Sequence, residues 1–196
     1  MPASNPAPPR RRMTPERVGE LYDAVIEVLA EVGYEALTID AVAARARTSK
    51  ATLYRQWNGK TELVASALRH IGPVPGAEFD TGSLRGDLIA LATRGARDER
   101  DTSVFRAMNE AASREPLLHE VLRELIFDPT MHAFNAAVER AVERGELAAD
   151  SPAIEFTGHM VMGAITAYAV VENRQPETDF IVRYIDAAVL PALGVR

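Results

Sequence analysis

Five cationic side chains, Arg45, Arg47, Lys50, Arg55 and Lys60, fall between Ala44 and Lys60 with no Asp or Glu among them, and the chain's only two lysines belong to this set. Thr38, Ser49, Thr52 and Tyr54 add hydroxyls to the same stretch. Side chains of these types donate hydrogen bonds and carry positive charge, so the chemistry they support is recognition of a polyanion. Their targets would be backbone phosphate oxygens and, for Lys or Arg, the O6 and N7 edge of guanine. No comparable set supports catalysis. The four histidines, His70, His119, His132 and His159, have no metal-ligand spacing, and there is no HExxH, GxSxG, phosphate loop or carboxylate–histidine constellation. Neither a metal nor a cofactor is expected.

The elements that must hold these side chains follow from apolar spacing. Ile39, Val42, Ala43 and Ala46 give a short helix one apolar face, Arg47-Thr48 interrupts it, and Ser49 is placed to N-cap a second helix through Leu53, Tyr54 and Trp57. Two short helices at a tight turn form a helix-turn-helix candidate. Leu53 and Trp57 are expected in its core, and Tyr54 at the ligand. Upstream, Thr14-Pro15 caps a helix in which Val18, Leu21, Tyr22, Val25, Val28, Leu29 and Val32 recur at three- and four-residue steps until Gly33. That helix buttresses the pair, leaving the third helix free to enter a groove. Downstream, Leu63, Val64, Ala67, Leu68 and Ile71 mark a fourth helix, which ends at the Pro/Gly run 72–76.

Bulk properties agree with a basic end on an acidic body. Residues 1–60 hold nine Lys/Arg against seven Asp/Glu, whereas residues 61–196 hold thirteen against twenty-one, within a net charge of -6. At 196 residues and 47% hydrophobic composition the chain can bury a full core. The absence of cysteine excludes a disulfide framework and thiolate chemistry, and fits a reducing cytoplasm. Residues 1–13, rich in Pro and carrying Arg10-Arg11-Arg12, are expected to be a disordered basic leader with no signal-peptide apolar run. No membrane association is expected: the most apolar run, near Met160 to Val171, is rich in Ala and Gly and reads as a buried or interface helix.

From Ser83 the pattern is helical throughout, with helices expected near 83–98, 102–113, 116–144, 152–174 and 177–193, and a kink or break at Pro129. The fold class is therefore all-α, with about nine helices. Phe105, Met108, Phe127, Met131, Phe134, Phe156, Met160, Met162 and Tyr168, with His132 and His159 as polar partners, form a candidate ligand pocket; the plainer reading is core packing. Gly158, Gly163, Ala164 and Ala167 permit close helix approach, and Tyr184, Ile185 and Ala188 lie on an apolar stripe of the last helix, so these two helices are the candidate dimer seam.

The stretches Gly33-Tyr34-Glu35, Leu37-Thr38, Ala41-Val42-Ala43, Ser49-Lys50, Thr52-Leu53-Tyr54 and Lys60-Thr61-Glu62-Leu63, as a spaced set, resemble the TetR (tetracycline-repressor-like) family of bacterial transcriptional regulators. The resemblance implies a leader (1–13), a helix-turn-helix DNA-binding domain (14–58), a connecting helix and linker (59–76), and a helical effector-binding and dimerisation domain (77–196). It also implies a homodimer on a palindromic double-stranded DNA operator, most simply a repressor released by a small apolar or amphipathic effector.

Under the resemblance Thr38 binds phosphate at the start of the second helix, Ser49 and Lys50 open the recognition helix, and Thr52 and Arg55 lie along it. Tyr54 and Lys60 match phosphate-contacting positions, and Lys50 and Arg55 are the candidates for base edges. Arg47 stands where many members have glycine. Either the turn avoids positive φ there or the cost is tolerated, and Arg47 then offers a further phosphate contact or only a solvated charge. The rival reading is an all-helical small-molecule carrier or enzyme in which the basic hairpin is incidental.

Overall fold

Hydroxyl caps set the starts of the first three helices. In the computed structural model, Thr14 Oγ1 accepts from the Arg17 amide at 3.4 Å, Thr38 Oγ1 from Ala41 at 3.1 Å and Ser49 Oγ from Thr52 at 3.1 Å. They open α1 (Pro15–Ala36), α2 (Ile39–Arg45) and α3 (Lys50–Gln56). Gly33, at φ 75°, kinks α1 three residues before its end. A fourth helix, α4 (Lys60–Ile71), starts at Gly59, and its Glu62 carboxylate accepts from the Asn58 amide at 2.7 Å, fixing the entry angle.

The structure describes residues 13–72, 79–93, 99–172 and 174–195, with the side chains of 99–102 excepted. The leader 1–12 with its three arginines, the Pro/Gly run 73–76 and the expected end of a helix at 94–98 lie outside them. Beyond α4 come α5 (Leu84–Thr93), α6 (Glu99–Ala112), α7 (Pro116–Leu122), α8 (Asp128–Glu143), α9 (Thr157–Glu172), α10 (Thr178–Tyr184) and α11 (Leu190–Leu193). π-turns at Arg123–Phe127 and Ile185–Val189 join α7 to α8 and α10 to α11 without a break. Among the described residues this makes nine continuous helices and no strand, so the fold is all-α.

Proline explains the π-turns. Pro129 and Pro191 each fall just after one, and a proline lacks the N–H that would close the preceding turn and crowds the carbonyl four residues back. Widening that turn by one residue removes the clash. The break expected at Pro129 is therefore absorbed, and Pro116–Glu143 runs as one rod.

Two cores result. Leu21, Val25 and Leu29 of α1 pack with Val42, Leu53, Leu63 and Val64, and also with Met108 and Ala111 of α6 and Leu118 and Val121 of α7. The second core joins Leu84 and Leu88 of α5, Phe134 and Ala137 of α8, Val161 of α9 and Ile181, Ile185 and Val189. Packing thus crosses the order of the chain: α6 and α7 belong to the core of the N-terminal helices, while α5 belongs with α8 to α11.

The second core is closed at one end by charge. Asp87, fully buried, accepts from the Thr81 amide at 2.7 Å and the Thr81 hydroxyl at 2.8 Å, and pairs with Arg140 at 3.2 Å. Burial alone would raise its carboxyl, but Thr81 and Arg140 outweigh burial and hold it below the usual carboxylate range. Glu146 caps α5 through the Leu84 amide at 2.8 Å and pairs with Arg144.

The helical run Ile154–Glu172 has 19 residues at a mean hydropathy of 1.3, long and apolar enough by length and composition to cross a membrane. The most apolar run of the sequence thus belongs to a helix longer than its own twelve residues. Its Thr157, Gly158 and Val161 are nonetheless buried against the rest of the protein.

Candidate nucleic-acid interface

α3 is held by one face and offers the other. Leu53 and Trp57 are buried, as their spacing requires, and Tyr22 meets Trp57 edge-on with ring centroids 5.9 Å apart. Tyr54 is 61% exposed, and Arg55 lies beside it on the outer face. Ser49 and Thr52 share a hydroxyl–hydroxyl bond of 2.8 Å at the front of the helix. Thr38 stands in the equivalent place on α2, where free backbone N–H groups of the first turn attract an anion.

The cations divide by partner. Lys50 is ion-paired with Asp40 on α2. Arg45 is bound to Glu27 at 3.1 Å and Glu31 at 2.7 Å on α1, and holds the Glu31 carboxyl below its usual value. Lys60 donates to the carbonyls of Tyr34 at 3.0 Å and Glu35 at 3.4 Å and sits 4.2 Å above the Tyr34 ring. It therefore fastens the start of α4 to the end of α1. Arg47 and Arg55 are exposed and have no side-chain partner among the described residues. The sequence did not reveal these pairings, because Asp40, Glu27 and Glu31 lie outside the acid-free stretch and reach it only through the fold.

The turn between α2 and α3 does adopt positive φ, with Arg47 at 49°. Thr48 donates to the Ala43 carbonyl at 2.9 Å and Arg47 to that of Ala44 at 3.2 Å, the paired bonds of a Schellman cap. Arg47 occupies the left-handed position that glycine takes most easily.

Polar contacts join this unit to the helices behind it. The Tyr34 hydroxyl shares a bond of 2.8 Å with Thr61, which donates to Glu115 at 3.5 Å, and burial raises the Tyr34 phenol above its usual value. Arg114 pairs with Glu35 at 3.1 Å and Arg69 with Glu124 at 3.0 Å.

The expected ligand-pocket residues do not gather around one cavity among the described residues. Met108 is sealed in the first core and Phe134 in the second; Phe156 and His159 are exposed; Phe105, Phe127, Met131 and Met160 are half-buried on three different helical runs. Tyr168 lines instead an open groove of about 440 Å³ with Gly163, Ala164, Ala167, Val171, Phe180 and Tyr184. Packing of large apolar side chains explains the separation, since a fully buried Phe or Met serves the core that surrounds it.

The dimer-seam residues also separate. A Cβ on Gly158 would lie 2.7 Å from Met131 Sδ, so this glycine permits α8 and α9 to approach within one subunit, and Ile185 is fully buried in the second core. Neither faces outward. Gly163 has open space at its Cβ, Ala167 is exposed, Tyr184 and Ala188 are half-buried, and Val170 and Val171 are 77% and 78% exposed.

Comparison with known proteins covers both parts of this geometry. The model of the "bacterial regulatory proteins, tetR family" matches residues 21–67, and that of the "Tetracyclin repressor-like, C-terminal domain" matches residues 79–188. The chain is 35% identical over 182 residues to the uncharacterized HTH-type transcriptional regulator Rv1556 of Mycobacterium tuberculosis, covering 90% of this chain and 88% of the relative. It is 32% identical over 177 residues to a protein of Mycobacteroides abscessus named as the DNA-binding transcriptional repressor TetR, covering 89% and 92%. The fold is similar to that of Salmonella enterica GusR, with a TM-score of 0.65 at 16% identity over 93% of this chain and 98% of that one. The helix-turn-helix, the helical body behind it and these matches lead to one conclusion: the chain belongs to the TetR family and is a transcriptional regulator, not an enzyme.

Proposed function

We propose that the protein is a cytoplasmic homodimeric repressor whose two α3 helices enter successive major grooves of a palindromic operator and are withdrawn when a small apolar or amphipathic effector binds the C-terminal helices. The observation that carries this reading is the outer face of α3, where Tyr54 and Arg55 stand exposed on a helix anchored from behind by Leu53 and Trp57. Lys50 and Arg55 read base edges, and Thr38, Arg47, Ser49, Thr52 and Tyr54 contact phosphate. Lys60 acts at the same surface through the α1–α4 junction it fastens.

The exposed apolar face of α9 and the groove it shares with α10 support pairing of two copies there, through Gly163, Ala167 and Tyr184. Two-fold symmetry then sets half-sites ~34–36 Å apart. Effector release follows if the ligand favours a state in which that spacing is wrong. The name of the M. abscessus relative favours repression over activation.

The test is salt-dependent binding of the purified protein to DNA from upstream of its own gene, compared with Lys50→Ala and Arg55→Ala. The proposal expects both variants to fold and to bind more weakly. Wild-type affinity in both would remove the assigned contacts.

A further inference from the structure

We infer that Arg17 is a positioning residue for the recognition helix: from the first turn of α1 it holds the turn between α2 and α3 in the left-handed conformation that Arg47 adopts. Its consequence for DNA rests on the proposed function, but the clamp itself does not.

The geometry is one guanidinium nitrogen shared by two carbonyls. Arg17 Nη2 donates to the Ala46 carbonyl at 2.5 Å and to the Arg47 carbonyl at 3.0 Å, while Nη1 pairs with Glu20 one turn along α1 at 2.5 Å. Glu20 thereby orients the guanidinium toward the turn. The Schellman bonds satisfy the carbonyls of Ala43 and Ala44, and past Arg45 the carbonyls of Ala46 and Arg47 receive the Arg17 donors. A cation at a helix C-terminus also meets the negative end of the helix dipole.

Position matters more than charge. Arg47 sits at φ 49°, where glycine has no steric cost and arginine does. Binding the carbonyl of Arg47 itself fixes the peptide plane that follows the strained residue, and so the direction in which Ser49 and α3 depart. The guanidinium serves both carbonyls from Nη2 and keeps Nη1 for Glu20, so one planar group holds three acceptors at once. The sequence places Arg17 thirty residues from the turn, and only the packing of α1 across α2 brings them together.

The experiment is amide hydrogen exchange on the full-length protein, with Arg17→Ala placed in two backgrounds, Arg47→Ala and Arg47→Gly. Both backgrounds lack the Arg47 side chain, and only the first keeps the strain. Arg17→Ala is expected to speed exchange of the Thr48 and Leu53 amides by about tenfold in the alanine background and by less than about threefold in the glycine background. Equal acceleration in both, or none in either, would overturn the clamp. Affinity for a duplex selected from random DNA by the wild-type protein gives the second readout. Arg17→Ala should weaken it about tenfold in the alanine background with an unchanged salt slope, and Arg47→Gly should restore it. A salt slope reduced by ~0.9 would make Arg17 a phosphate contact and overturn the positioning role. A wild-type protein that selects no duplex would count against the proposed function and leave the exchange result to decide the clamp.

Discussion

The Lys50 ammonium at the first position of α3 is ion-paired with the Asp40 carboxylate of α2, so under the proposed function this leading cation reaches DNA only by leaving an anion behind. Both side chains are more than half exposed, and a pair of that kind is worth about 0–1 kcal/mol. Asp40→Asn should therefore raise affinity for duplex DNA by roughly two- to fivefold at fixed ionic strength. Fluorescence anisotropy checks this, and the gain should vanish in Asp40→Asn/Lys50→Ala. Weaker binding by Asp40→Asn would mean that Asp40 aims Lys50 instead of restraining it.

Arg55 and Arg47, whose side chains have no partner among the described residues, should separate by the kind of loss they cause. Arg55→Ala is expected to cost about 1–3 kcal/mol on the selected duplex and to relax the base preference at one position. Arg47→Ala should weaken all sequences alike and reduce the slope of log K against log salt by ~0.9. Titration at several salt concentrations distinguishes them. An Arg55 variant with unchanged specificity would move base reading elsewhere on α3.

The buried Asp87–Arg140 pair makes stability pH-dependent with a definite sign. The folded-state Asp87 carboxyl titrates below its unfolded value, so its contribution is present above an unfolded pKa of ~3.9 and is lost as pH falls through the lower folded value. Asp87→Ala leaves the Arg140 guanidinium in a largely buried site and should cost about 3 kcal/mol at neutral pH. Urea denaturation at pH 7 and pH 3 checks both points. The variant should lose less stability than wild type between the two; an equal loss would place the acid sensitivity in other carboxylates such as Glu146.

Two glycines of α9 should fail differently. Gly163→Leu or Val171→Asp alters an open surface and is expected to yield a folded monomer with at least ~100-fold weaker operator binding, because half-sites are then bound singly. Gly158→Ala instead meets only the flexible end of Met131 within one subunit, which can swing aside, and should cost at most about 1 kcal/mol of stability while the protein stays dimeric. Sedimentation equilibrium with thermal melting separates the cases. A Val171→Asp protein that remains dimeric would put the seam elsewhere.

Local pattern made the helices legible. Caps at Thr14 and Ser49, and the three- and four-residue spacing of Leu21, Val25 and Leu29, are properties of neighbouring residues, and each forms the expected element. The buried Leu53 and Trp57 and the exposed Tyr54 follow from the same periodicity. What the pattern did not carry was partnership across the fold. Lys60 looks like a free cation in sequence yet is held by the carbonyls of Tyr34 and Glu35, and Arg17 lies outside the basic stretch yet grips its turn. Small and aromatic residues of the C-terminal half were equally ambiguous. Gly158 and Gly163 lie on one helix five residues apart, one facing inward and one outward, and composition does not distinguish them. Pro129 carried a local signal of a break, which a π-turn absorbed.

In the proposed function, two copies of α3 read a two-fold symmetric DNA site. Selection of bound duplexes from random-sequence DNA by the wild-type protein tests it most directly. The expected outcome is an enriched palindrome with half-site centres about one helical turn apart, ~10–10.5 bp or a multiple. An enriched site with no two-fold symmetry, or no enrichment at low salt, would contradict it.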